Sequence, residues 1–180
     1  QIESYKKNKN KKITIDKMPL NLVHVGEILR FFPNAKFILA LRHPYDCVLS
    51  CFMQNFMLNH AMANFLNLDD TLKLYDLTMS LWKKYTNVFK IDHHLIRYED
   101  VVSNFKKTIG DLLKFLNVKW SDNVTEFYKT AEKRGIINTP SYNQVSQPIY
   151  SNSMYRWKNY EKEFAKSNIS LENWVKEFNY

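Results

Sequence analysis

The apolar run Phe37-Ile38-Leu39-Ala40-Leu41, followed at once by Arg42-His43-Pro44, constrains the fold more than any other stretch of the chain. Five apolar residues without polar alternation predict a strand buried on both faces, as in a parallel sheet covered by helices. Pro44 disfavours the helical region for His43 and suits the first turn of a helix itself. Val48, Leu49, Phe52 and Met53 then recur at helical spacing. Arg42 therefore falls at the carboxyl end of a strand, and Ser50 in the second turn of the next helix. Ligands of open α/β sheets bind at that edge, and the helix start presents unpaired N–H groups to an anion. A guanidinium fork, a hydroxyl and a helix N-terminus meeting there predict a phosphate site. From the pattern alone, a strand-end surface charge and a helix-face hydroxyl remain the alternative.

The flanking sequence supplies further elements. Lys12 to Asp16 alternates and is rich in β-branched residues, which predicts a short strand ending at Lys17. Met18-Pro19-Leu20-Asn21 reads as a turn, with Asn21 capping a helix from Leu22 to Phe32. Its apolar stripe is Leu22, Val25, Ile28, Leu29 and Phe32, and Pro33-Asn34 ends it. With the next strand, this makes a right-handed parallel β-α-β crossover. A helix from Pro44 to Met57 precedes an irregular connection from Leu58 to Leu68. Asp69-Asp70 opens a long helix from Thr71 to about Phe89, with Leu74, Leu77, Leu81 and Tyr85 on one face. His93 to Tyr98 is the third strand. Helices follow at Val101 to Leu116, the first packing Ile109, Leu112, Leu113 and Leu116, and at Asp122 to Arg134. Gly135 to Asn152 is a long polar loop of the functional or disordered kind. Short helices at Tyr155 to Tyr160 and Leu171 to Phe178 close the chain, with Trp157 and Trp174 as core anchors. The class is α/β, a parallel sheet flanked by helices with a helix-rich C-terminal half, and residues 1–180 form one domain.

Composition narrows the chemistry. At 180 residues and 45% hydrophobic, the chain can bury one real core. A net charge of +8 favours an anionic ligand without identifying it. Apart from Lys6 to Lys12 the basic residues are dispersed, and the aromatics fall at apolar helix positions, which argues against nucleic acid. No apolar stretch reaches the roughly 18 residues of a membrane span. Cys47 and Cys51 are expected as buried free thiols of a reducing, cytoplasmic compartment. His93 and His94 point to opposite faces of a strand, and no zinc spacing occurs, so no metal is expected.

Spacing turns the phosphate site into a resemblance. Arg42 and Ser50, eight positions apart within Arg-His-Pro-Tyr-Asp-Cys-Val-Leu-Ser, resemble the 3′-phosphate-binding segment of sulfotransferases that use 3′-phosphoadenosine 5′-phosphosulfate. Asp16-Lys17-Met18-Pro19-Leu20-Asn21 resembles the Lys-x-Pro segment of tyrosylprotein and TPR-coupled bacterial sulfotransferases. Arg97-Tyr98-Glu99-Asp100 resembles the family's Tyr-Glu-Asp segment. Ser141-Tyr142-Asn143-Gln144-Val145 and Tyr155-Arg156-Trp157 resemble the segments near the end of the domain. The four matches lie in order and span most of the chain.

The resemblance implies a three-layer, P-loop-NTPase-like sheet and sulfuryl transfer from that nucleotide to a hydroxyl acceptor, without a metal. It implies that Arg42, Ser50 and Arg156 hold phosphate and that Tyr98 contacts adenine. Lys17 and Ser141 would act on the leaving group. One departure stands out: related chains often carry Gly where this one has Tyr155. The chain begins at Gln1 and has only three glycines, widely separated. It is therefore expected to be a fragment, with the first strand, the phosphosulfate loop and the general base upstream. A P-loop kinase-like enzyme and a non-catalytic basic anion-binding module are the competing readings.

Overall fold

Two strands, β1 (Phe37–Leu41) and β2 (His93–Arg97), pair in parallel, with Phe37 opposite His93 and Leu41 opposite Arg97. They belong to a computed structural model that describes residues 13–126, 128, 149 and 151–180. A 3-10 turn at Pro19–His24 leads into α1 (Val25–Phe31) ahead of β1. Between the strands run α2 (Pro44–Phe52) and α3 (Leu68–Val88), joined by a 3-10 turn at Met62–Leu66. After β2 come α4 (Tyr98–Ser103) and α5 (Phe105–Phe115). The C-terminal part holds a 3-10 turn at Arg156–Tyr160, α6 (Glu161–Phe164) and α7 (Glu172–Glu177). This is an α/β arrangement, and the β1-to-β2 crossover carries helices because parallel strands cannot be joined by a tight turn.

Several sequence expectations change. Ile13 to Asp16 forms no strand, and no partner strand lies beside it among the described residues; Ile13 and Ile15 face solvent. Alternation alone does not make a strand, because the ladder hydrogen bonds need a neighbour. β1 is not covered on both faces: Leu39 and Leu41 are buried, whereas Ile38 and Ala40 are exposed. On one face Phe37 packs against Trp82 of α3 at 6.5 Å between ring centroids. On the other, α5 reaches β2 through Phe115, stacked on His94 at 5.3 Å, and leaves β1 open.

Asn21 caps nothing. The turn starts one residue after Met18, with Pro19 in its first position. Only Val25 of the stripe proposed for α1 is fully buried, and Phe32 is exposed at the helix end. α2 stops at Phe52 rather than continuing to Met57. α3 starts at Leu68 because the Asn67 side chain accepts from the amides of Asp69 (2.8 Å) and Asp70 (3.3 Å). Its buried face is Thr71, Leu72, Tyr75, Met79 and Trp82, not the leucine stripe, and Leu77 is exposed. β2 ends at Arg97, and Asn104 breaks the predicted Val101 to Leu116 helix into α4 and α5. Asp122–Val124 is a single 3-10 turn; most of the expected helix beyond it, and nearly all of the Gly135 to Asn152 loop, lie outside the described residues.

The core joins distant parts of the chain. Val25, Leu39, Leu41, Tyr45, Val48, Leu72 and Trp82 pack in one cluster with Phe164, Leu171, Trp174 and Phe178. Trp174 is buried, as its anchoring role requires, and Trp157 is partly buried against the same cluster. No helix among the described residues is long and apolar enough to cross a membrane.

Candidate functional site

β1 delivers Arg42 to the carboxyl edge of the sheet. Since Leu41 is opposite Arg97, the next residue of each strand brings Arg42 beside Tyr98. The guanidinium lies over the Tyr98 ring, 5.5 Å from its centroid. Such a placement favours a cation on an aromatic face. The chain then turns sharply into α2. The His43 amide donates to Glu99 Oε1 at 2.9 Å, which fixes that turn, and Pro44 opens the helix. Glu99 is buried at the start of α4. Burial raises the pKa of the Tyr180 phenol, and the neighbouring Glu99 raises it further.

In the first turn of α2, Asp46 is 1% exposed. Its Oδ2 accepts from the Tyr155 amide at 2.6 Å and its Oδ1 from the Trp157 amide at 2.8 Å. The Arg42 Nη2 group donates to the Ser153 carbonyl. These bonds fasten residues 153–157 against the strand-helix junction, although 109 and 111 residues separate Asp46 from its partners. Tyr155 adopts the left-handed conformation, φ 55° and ψ 26°, and Arg156 begins the following 3-10 turn. A side chain at this φ is strained.

The result is a cavity of about 210 Å³ lined by Arg42, Asp46, Leu49, Ser50, Met53, Gln54 and Arg156. Two guanidinium-bearing residues and a hydroxyl converge there from three separate segments. Arg42 Nε is buried with no partner among the described residues. An arginine with unused donors at a cavity wall is suited to a phosphate or sulfate group. Both Asp46 oxygens are already engaged by amides, so its acceptor capacity is directed away from the cavity.

Behind the cavity, His43 sits in an aromatic box. Its ring stacks on Trp157 (5.1 Å, 13° between planes), and Tyr155 and Tyr180 meet it edge-on at 5.5 and 5.2 Å. Burial lowers the His43 pKa, against the opposing pull of Asp46 and Glu99. Cys47 and Cys51 are free thiols on successive turns of α2. Their mutual hydrogen bond, with burial second, pushes Cys47 well up, and the same bond lowers Cys51.

A second cavity of about 380 Å³ adjoins the first, sharing Gln54. Phe52, Phe56, Leu58, Met62, Phe65 and Leu66 line most of it. Of the residues singled out from sequence, Arg42, Ser50 and Arg156 meet at the first cavity and Tyr98 sits beneath Arg42. Lys17 lines neither cavity and is exposed ahead of the Pro19–His24 turn. Ser141 lies outside the described residues. Sequence reasoning missed Asp46, Glu99 and Gln54. Both acids stand inside recognised motifs, and an acid in the first turn of a helix on its buried face was the available signal. Among the described residues, no group of three or more His, Cys, Asp or Glu side chains is placed to hold a metal ion.

A parallel α/β unit with two arginines and a serine at one strand edge is the class that fold and site define. Comparison with known proteins makes it specific: residues 2–122 match the model of the sulfotransferase family, and the chain belongs to that family. A protein of Aquifex aeolicus, itself uncharacterized, is 33% identical over 82% of this chain and 19% of its own length. Protein-tyrosine sulfotransferase 1 of Danio rerio is 27% identical over 79% of this chain and 41% of its own. Protein-tyrosine sulfotransferase 2 of Gallus gallus is 25% identical over 79% of this chain and 39% of its own. The chain thus spans well under half the length of each of these relatives.

Proposed function

We propose that this chain belongs to an enzyme that moves a sulfuryl group from 3′-phosphoadenosine 5′-phosphosulfate to a hydroxyl acceptor. Arg42, Ser50 and Arg156 hold the 3′-phosphate and Tyr98 contacts the adenine. The observation that carries this is the convergence of those three side chains on one cavity at the carboxyl edge of β1. The family match and the protein-tyrosine sulfotransferase relatives support the reaction.

The acceptor oxygen attacks sulfur in line as the bond from sulfur to the bridging phosphate oxygen breaks, the hydroxyl proton passing to a general base and 3′,5′-bisphosphoadenosine leaving. Catalysis then rests on positioning and on fixed positive charge where negative charge accumulates. Lys17 and Ser141 are assigned to the bridging oxygen as it takes up charge. The apolar cavity that shares Gln54 with the phosphate site takes the non-polar part of the acceptor. The fold is completed as a three-layer, P-loop-NTPase-like sheet.

The test is calorimetric. The chain should bind 3′,5′-bisphosphoadenosine more tightly than adenosine 5′-monophosphate. Arg42→Ala should weaken bisphosphate binding by about 2 kcal/mol, the scale of a lost charge-assisted contact. Arg42→Lys should restore little of it, because an ammonium cannot reproduce the fork. Equal affinities of the unaltered chain for the two nucleotides would overturn the assignment.

A further inference from the structure

We infer that Asp46 sets selectivity for the 3′-phosphate without touching it, by clamping the Tyr155–Trp157 backbone so that Arg156 faces Arg42 and Ser50. This rests on reading the cavity as the 3′-phosphate site. A carboxylate in the wall of a cavity built for a dianion is otherwise an anomaly, since like charges there oppose binding. The geometry gives the carboxylate a structural role there instead. Asp46 is 1% exposed, and its two oxygens accept from the amides of Tyr155 (2.6 Å) and Trp157 (2.8 Å). Those amides belong to the residues before and after Arg156, so the carboxylate holds the Met154–Tyr155 and Arg156–Trp157 peptide units that bracket the second arginine.

Three further features agree. Tyr155 is held at φ 55°, a conformation that persists only where its surroundings over-determine it. Arg42 donates to the Ser153 carbonyl, so the segment is also tied to the first arginine. Trp157 stacks on His43, the residue following Arg42. The two arginines therefore come from segments more than a hundred residues apart and share one anchor. Asp46 is a positioning residue. Its carboxylate geometry matters, because a carboxamide would offer one acceptor and set an N–H₂ group against the other amide.

The experiment measures the ratio of affinities for 3′,5′-bisphosphoadenosine and adenosine 5′-monophosphate by calorimetry. It compares the unaltered chain, Asp46→Asn, Arg156→Ala and the double variant, with thermal melts of each. Asp46→Asn should lower the ratio about tenfold, as a misplaced charge-assisted contact does, while monophosphate affinity stays within about twofold. Arg156→Ala should lower it similarly. The double variant should lose no more than Arg156→Ala, because an arginine already misplaced has nothing left to lose. Amide exchange at Tyr155 and Trp157 should quicken in Asp46→Asn. If Asp46→Asn does not melt cooperatively, Asp46→Glu serves in its place. An unchanged ratio alongside quickened exchange overturns the inference, as do losses that multiply in the double variant. A parallel loss of both nucleotides would show a purely structural role and overturn it too. If the unaltered chain shows no preference for the bisphosphate, the cavity assignment itself fails and this inference falls with it.

Discussion

Tyr155 and His43 show what single residues give up at this site. A non-glycine residue at φ 55° costs about 1–2 kcal/mol. Here the Asp46 bond to its amide and the edge contact with His43 offset that cost. Tyr155→Ala keeps the Cβ strain and loses the ring, whereas Tyr155→Gly loses the ring and the strain together. Urea titration should find the Ala variant less stable than the Gly variant by about 1 kcal/mol. His43 makes a prediction in pH. Burial holds its folded pKa below the ordinary value of 6.5, despite Asp46, Glu99 and Glu172 nearby, with Lys158 acting in the same sense as burial. Below 6.5 the unfolded chain then binds more protons than the folded one, so stability falls as pH drops toward the folded pKa and is fully present above 6.5. Melting temperatures between pH 8 and pH 5 should decline over that acidic range. His43→Phe, which keeps a stacked ring, should flatten the decline, and an unchanged slope would show that other groups cause it.

At the scale of elements, the legible parts were those whose signals are local. Pro44 after an apolar run set the end of β1 and the start of α2, which is enough to put Arg42 and Ser50 on one edge. α3 was legible as a helix but not in its orientation. Leucine counting chose Leu74, Leu77 and Leu81, whereas the larger apolar surface of Tyr75, Met79 and Trp82 decides which face turns inward. Its start was equally hidden, because Asn67 caps the helix two residues before an acidic pair that looks like a beginning. Asn67→Ala should therefore cost about 1 kcal/mol in equilibrium unfolding, while changes at exposed Asp69 should cost far less. The Lys12 to Asp16 strand failed for the opposite reason: its pattern was local, but a strand needs a partner. The position of Asp46 and Glu99 in a first helical turn was legible but their partners were not, since these lie 109, 111 and 56 residues away. Nothing in a short window points to a backbone amide that distant.

Across the molecule, the last thirty residues are part of the core rather than an appendage to it. Phe164, Leu171, Trp174 and Phe178 are buried with Leu39, Leu41 and Leu72 in one cluster. Polar contacts cross the same boundary. The Leu171 amide donates to the Tyr45 hydroxyl at 3.0 Å, Trp174 Nε1 to Asp76 Oδ1 at 2.7 Å, and Arg97 Nη1 to the Asn179 carbonyl at 2.6 Å. The exposed Lys83–Glu177 pair adds little by comparison. Arg156 is fastened to this body through Asp46, so the cavity proposed as the phosphate site is complete only while the C-terminal part is docked. Leu171 and Leu72, both 0% exposed, sit on either side of that junction. Truncating either to Ala removes buried surface and leaves a cavity, at a cost of about 2–5 kcal/mol. If the two sides fold as one unit, both variants should shift a single unfolding transition, with the same denaturant slope as the unaltered chain. Saturating 3′,5′-bisphosphoadenosine should raise the midpoint in every case, because a ligand that binds only the folded state stabilises the whole of it. A biphasic transition in Leu171→Ala, with only its early phase responding to the nucleotide, would instead make the C-terminal part a separate unit that docks onto β1 and α2 to complete the site.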